Sequence, residues 1–297
     1  MGWGCGGVCC DWQRERLRCK KPRNPGRARG ANGRGLLRKR TQRRVVTDKG
    51  IERERYEQRA AAALELGGAS AVLGAAGVSL ELRRPYLRFE NLLRETVRPD
   101  DRVLDLCCGD GQFSFVAATT GARVTGLDLS AAALELAARR CPDALPKNVD
   151  WAEGECEHLP FPDGSFAGVV CAGGLSYGDW VPVLDEIVRV LRPDGWLIVV
   201  DSYNHNPLYR LNRWRHRLRG RRTASVNRRI PSRRWLALAR ERFANLEVEY
   251  FGVFTFLAPL LRLVAGSERT ARWLDRWDTC ACAPREWAFK IVVKAVR

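Results

Sequence analysis

"VLDLCCGDGQFS", residues Val103 to Ser114, sets two glycines one residue apart directly after a short apolar run that ends in an acid and two cysteines. A loop of this kind cradles a phosphate, ligates a metal or holds another ligand. The apolar run reads as a strand and the residues from Gln112 onward as a helix. A strand–loop–helix unit then puts the backbone N–H groups of the loop in the crevice at the C-terminal edge of a parallel sheet. Counting from Gly109 and Gly111, a dinucleotide fingerprint wants a third glycine at position 114, which is Ser114. Asp105 lies four residues before Gly109. An anion there repels a diphosphate but accepts hydrogen bonds from an ammonium group, so the loop suits a zwitterion.

Outward from this loop, short apolar runs recur: "RVLDLC", "ARVTGLD", "VDWAEG", "AGVVCAG" and "GWLIVVD". Helical stretches separate them. Ser130 is placed to cap "SAAALELAARR", and "DWVPVLDEIVRVL" sets Leu184, Ile187, Val188 and Leu191 on one face. Wholly apolar strands alternating with helices predict an α/β fold, a Rossmann-like sheet, mostly parallel, with helices on both faces. Upstream, "IERERYEQRAAAALEL" and "SLELRRPYLRFENLLRETV" read as helices packing outside that sheet. The second has Pro85 in its first turn and Tyr86, Phe89, Leu93 and Val97 along one face. "LEVEYFGVFTF" and "EWAFKIVVKAV" read as a closing antiparallel pair.

The 297 residues and 45% apolar content describe a globular protein. Most of the formal charge of +17 sits in residues 1–44, where 14 Arg and Lys stand against Asp11 and Glu15. That tail has no apolar pattern and is expected to be disordered. Four readings stand for it: a nucleic-acid-binding arm, a transit peptide, a lipid anchor at Gly2, or sequence upstream of an authentic start near Val45 or Val46. The last, or a merely solvated tail, is favoured, since Met1 is the only methionine and Gly6 stands where myristoylation wants Ser or Thr. No apolar run reaches the roughly 18 to 20 residues of a membrane span, and a cytoplasmic location is expected. The cysteines lack the paired spacing of a zinc site, so no metal is expected, and Cys107, Cys108, Cys141, Cys156 and Cys171 read as buried free thiols.

Four stretches together resemble the class I S-adenosylmethionine-dependent methyltransferases, in the broad ubiquinone/menaquinone-biosynthesis (type 11) group, over roughly 51–297. "LDLCCGDG" resembles the first motif, with Cys107 where the first glycine usually stands; the resemblance implies that Asp105, Cys107, Gly109 and Gly111 hold the methionine part of S-adenosylmethionine. "VTGLDLS" resembles the second, implying that Asp128, with Leu129 beside it, receives the ribose hydroxyls. "EGECEHLPFPDGSF" is similar to the stretch in which Glu155 reads the adenine amino group and the Cys156 backbone the ring edge. "LRPDGWLIVVD" resembles the turn before the fifth strand. The resemblance divides the chain into an N-terminal helix at 79–98, a cofactor-binding core at 101–201, an Arg-rich lid or insertion at 202–240 and closing strands and helices at 245–297, with seven strands in all and the last one antiparallel.

The methyl acceptor is less legible. In-line methyl transfer draws most of its rate from alignment, so a base need not be visible. Ser176, Tyr177, Tyr203 and His205 are expected at the ends of the fourth and fifth strands, with His205 and Tyr177 as candidate bases. Pro207 to Arg234 holds 11 Arg and no acid. This segment reads as an amphipathic lid over an anionic small-molecule substrate, with Arg210 and Arg213 as contacts, as a helix resting on an anionic membrane surface, or as a solvated basic face. A small, anionic metabolite or a lipid- or glycan-linked intermediate is the expected acceptor. Methylation or binding of RNA through the arginines is the alternative, with no obligate nucleic acid expected. The sequence leaves the oligomeric state open.

Overall fold

The computed structural model describes residues 48–66, 74–142, 148–218, 223–279 and 284–297. The expectations for the tail 1–44, and for Cys280 and Cys282, lie outside these. The described residues fall within one unit, Val45–Arg297.

In chain order the elements are α1 (Asp48–Glu65), α2 (Leu80–Thr96), β1 (Arg102–Leu106), α3 (Gln112–Ala118), β2 (Arg123–Asp128), α4 (Ala131–Arg140), β3 (Val149–Glu153) and β4 (Phe166–Ala172). There follow α5 (Trp180–Val190), β5 (Leu191–Ser202), α6 (Pro207–Leu218), α7 (Ala224–Arg228), α8 (Arg233–Arg240), β6 (Asn245–Phe251), α9 (Ala258–Asp278) and β7 (Lys290–Val296). The strands form one seven-stranded sheet in the order β3-β2-β1-β4-β5-β7-β6. The first five are parallel, and β7 runs antiparallel between β5 and β6. The strand order reverses between β1 and β4, where open α/β sheets form a crevice.

The period-two alternation of the strands divides the core. Leu104 and Leu106 of β1 face one way and pack with Val183, Leu184 and Ile187 of α5 and Trp235 of α8. Val103 faces the other way, toward Phe89 and Leu93 of α2, Val97 just after it and Val116 of α3, with Tyr86 partly buried against the same cluster. Each such buried side chain contributes about 1.5 to 3 kcal/mol. Asp105 shares the face of Val103, and its carboxyl therefore points at α3 rather than into solvent. Ala60 of α1 packs on Ala133 and Leu136 of α4, which brings α1 up to the C-terminal edge of the sheet.

Local signals account for most boundaries. Ser130 caps α4 by accepting from the Ala133 N–H at 3.1 Å. Pro85 falls one turn deeper in α2 than its first-turn reading, because the helix already begins at Leu80. Residues 192–195 bulge out between the Phe166–Leu191 and Gly168–Trp196 pairs of β4 and β5.

Candidate active site

A cavity of about 270 Å³ opens at the C-terminal ends of β1, β2, β3 and β4. The end of β1 supplies Asp105 and the loop after it Cys107 and Gly109, the end of β2 supplies Asp128 with Leu129 just beyond it, and the turn after β3 supplies Glu155 and Cys156. Tyr177, after β4, completes the lower wall.

The loop after β1 is built on left-handed backbone. Cys107, Gly109 and Gly111 have φ of 59°, 56° and 79°. This turn reverses the chain within a few residues and starts α3 with the Gly111 carbonyl accepting from the Phe115 N–H. Gly111 shapes the turn without lining the cavity; a Cβ there would come within 2.7 Å of the Trp151 ring. Cys107 accepts a conformation that costs an L-residue roughly 1 to 2 kcal/mol.

Asp105 is 2% exposed and accepts a 2.6 Å hydrogen bond from the Ser114 hydroxyl. Burial pushes its carboxyl up to about 7, the nearby Asp128 adds to the rise, and the Ser114 bond works against it. Asp128 accepts from the Gly109 N–H at 2.9 Å through one oxygen and from the Ser130 N–H at 3.0 Å through the other. Burial raises its pKa, while these N–H groups oppose the rise. A carboxylate held by one N–H on each oxygen keeps further lone pairs for hydroxyl donors. Cys107 and Cys156 are hydrogen-bonded to each other; that bond and burial push the Cys107 thiol up, and the same bond draws Cys156 down.

The roof of the cavity was not legible in advance. Asp48, Lys49, Glu52, Arg53 and Tyr56 of α1 line it, with Ser225, Val226 and Arg229 in and just after α7. Their spacing at 48, 52 and 56 is that of one helical face, and the helix begins three residues before the Ile51 read from sequence. Acids on α1 tie it down. Glu52 accepts from the backbone and the hydroxyl of Thr223 at 3.1 and 3.0 Å, Asp48 from the Ser225 N–H at 3.1 Å, and Glu57 from the Ala131 and Ala132 N–H groups at the start of α4. The Lys49 ammonium bonds Glu155 at 2.6 Å and Glu157 at 2.5 Å. Glu155, Glu157 and His158 bring ligand atoms within 4.8 Å of one another, and this ammonium already satisfies the two carboxylates. The Tyr56 and Tyr177 hydroxyls are hydrogen-bonded across the cavity.

Besides Gly111, five residues named from the sequence lie outside the lining. Ser176 is buried in the turn beside Tyr177. Tyr203 is 1% exposed, with its ring edge-to-face on Tyr250, and burial raises its pKa. His205 has Nε2 3.7 Å from the Glu286 carboxylate. Arg210 is exposed. Arg213 is folded inward, donating to the Tyr203 carbonyl at 3.1 Å and to Asn204 Oδ1 at 3.0 Å, where it fixes the joint between β5 and α6. The Arg-rich segment meets the cavity through Arg229 instead, whose Nε is 2.7 Å from Asp179.

Residues 103–195 match the family described as a methyltransferase domain. Over 113 residues the chain is 37% identical to a demethylmenaquinone methyltransferase of Lactococcus lactis, covering 36% of this chain and 45% of that one. Over 131 residues it is 37% identical to a 2-phytyl-1,4-naphtoquinone methyltransferase of Synechococcus elongatus, covering 39% and 55%. The chain thus spans about half the length of the curated relatives it matches. A geranyl diphosphate C-methyltransferase from Streptomyces coelicolor superposes with a TM-score of 0.56 at 17% identity, over 85% of this chain and 98% of that one. The matched residues 103–195 include the glycine loop, Asp128, Glu155 and Tyr177, and the sheet reverses its order where that loop lies. Residues 103–195 thus match a methyltransferase domain, and the sheet around them has the fold of the Streptomyces coelicolor C-methyltransferase.

Proposed function

We propose that the protein transfers a methyl group from S-adenosylmethionine to a small molecule of the quinone-precursor type. The observation that carries the cofactor reading is the alignment of Asp105, Asp128 and Glu155 at the ends of three neighbouring strands around one cavity. A buried carboxyl whose pKa burial pushes up to about 7 is a group that a cation would stabilise in its charged form. Asp105 meets the ammonium of the methionine part, Asp128 receives the ribose hydroxyls, and Glu155 with the Cys156 backbone reads the adenine. Leu129 supplies the apolar surface between them. When bound, the cofactor supplies an electrophilic methyl carbon on a sulfonium.

The chain's own contribution is alignment and exclusion of water. Helices α1 and α7 cover the site, and the acceptor is held between the cofactor cavity and the Tyr56–Tyr177 pair. Tyr177 is the group placed to take a proton from a ring hydroxyl. The names of the two aligned relatives support a naphthoquinol-like acceptor. An anionic acceptor would meet Arg229 at the cavity wall, with Arg210 and Arg213 set apart from it.

Incubating the protein with labelled cofactor and a cell extract, then separating lipid, polar-metabolite, protein and RNA fractions, tests the reading. Label is expected among lipids or small metabolites and is lost in Tyr177→Phe if that hydroxyl accepts the proton. Label in RNA, removed by nuclease, would contradict it.

A further inference from the structure

Helix α6 reverses the usual orientation of an amphipathic surface helix. Tyr209 and Arg213, one turn apart, form its protein-facing side. The Tyr209 ring packs 4.5 Å from that of Phe289, its hydroxyl donates to the Gly252 carbonyl at 3.0 Å, and Arg213 holds the Tyr203 carbonyl. Leu208, Leu211 and Trp214 point away from the protein and are 44%, 54% and 53% exposed. These are the residues such a helix ordinarily buries, and leaving three of them in water costs the free energy their burial would supply.

Two further observations say what covers that side. Arg210 and Arg215 lie beside the exposed apolar residues, both exposed and neither paired with an acid among the described residues. From Pro207 to Arg234 the sequence has 11 Arg and no acid. Tyr209 also packs against Phe256, two residues before α9 begins. The first turns of α9 expose Leu260, Leu263 and Val264 at 63%, 85% and 82%, before the backbone breaks at Gly266. A second bare apolar strip therefore follows, from Leu260, a ring that packs against α6.

We propose that the outer face of α6, with the first turns of α9, docks the protein on an anionic lipid bilayer. The leucines, Val264 and Trp214 enter the boundary between headgroups and acyl chains, while Arg210 and Arg215 meet lipid phosphates. A second copy of the chain fits less well, because a two-fold contact would bring the same unpaired guanidinium groups together. RNA would answer the arginines and leave the leucines in water. The inference concerns the surface alone and stands whether or not the acceptor assigned above is correct.

Co-sedimentation of the full chain with phosphatidylcholine vesicles, with and without phosphatidylglycerol, tests it. Binding is expected on the anionic vesicles. The triple variant Leu208→Ser, Leu211→Ser, Trp214→Ser keeps every charge and so separates the apolar face from basic residues elsewhere. Its partition should fall by about tenfold or more, the scale of burying even one such side chain, with melting temperature and cofactor binding unchanged. Equal partition of variant and wild type would overturn the proposal. A wild-type dimer that ignores vesicles and is dissociated by the same substitutions would also overturn it, giving the face to a second copy.

Discussion

The Ser114 hydroxyl donates to the Asp105 carboxylate at 2.6 Å, joining the residue that breaks the dinucleotide pattern to the acid that argues against a diphosphate. A glycine at 114 would leave that buried oxygen without its donor. The two departures from the dinucleotide fingerprint are therefore one structural unit, and it prepares a carboxyl for a cationic group.

The raised pKa of Asp105 fixes a pH dependence. Its ordinary value is 3.8 and burial in the folded site pushes it up to about 7, so between those values the folded state binds the extra proton and this group's contribution to stability falls as pH rises. The melting temperature without cofactor should decline from pH 5 to pH 7.5 more in the wild type than in Asp105→Asn. Affinity for S-adenosylmethionine should rise over the same window as the carboxylate ionises. A pH-independent affinity in wild type would remove Asp105 from the ammonium.

Glu52 anchors the roof. Glu52→Ala leaves the Thr223 N–H unpaired and its hydroxyl with only the Ser225 hydroxyl at 3.4 Å, and loses hydrogen bonds to a charged group worth about 1.5 to 3 kcal/mol. Limited proteolysis should cut α1 sooner in this variant, while the melting of the sheet changes little. Unaltered cleavage would show that α1 is held elsewhere.

Gly111→Ala combines a φ of 79° with a Cβ 2.7 Å from the Trp151 ring. The αL conformation alone costs about 1 to 2 kcal/mol in alanine, and the contact adds to it. Thermal melting should show a loss of stability, and the loop should bind cofactor more weakly; a neutral substitution would mean that the turn readily re-forms another way.

Much of this fold was readable because its signals are local. The five parallel strands are short apolar runs, Ser130 is a cap with its helix directly after it, and the three cavity carboxylates end strands or open the loops after them. The closing pair was readable from the β-rich composition of 245–251 and 290–296. The roof was not. Asp48, Lys49 and Glu52 are ordinary helix-surface residues by sequence, and only folding α1 back onto α4 turns that face toward the cavity. Arg213 shows the reverse: in a run of arginines it reads as a contact to an anionic substrate, yet the turn from β5 into α6 draws it inward to satisfy the Tyr203 carbonyl. His205 likewise follows a strand end but faces Glu286.

The proposed cofactor site at the ends of β1 to β3 binds S-adenosylmethionine through Asp105, Asp128 and Glu155. Calorimetric titration of wild type and Asp128→Ala with S-adenosylmethionine, its demethylated product and NADH tests it most directly. The account predicts heat with the first two and none with NADH, and a loss of about 1.5 to 3 kcal/mol in the variant, the scale of hydrogen bonds to a charged group. Heat with NADH alone, or an affinity for S-adenosylmethionine that Asp128→Ala leaves unchanged, would contradict it.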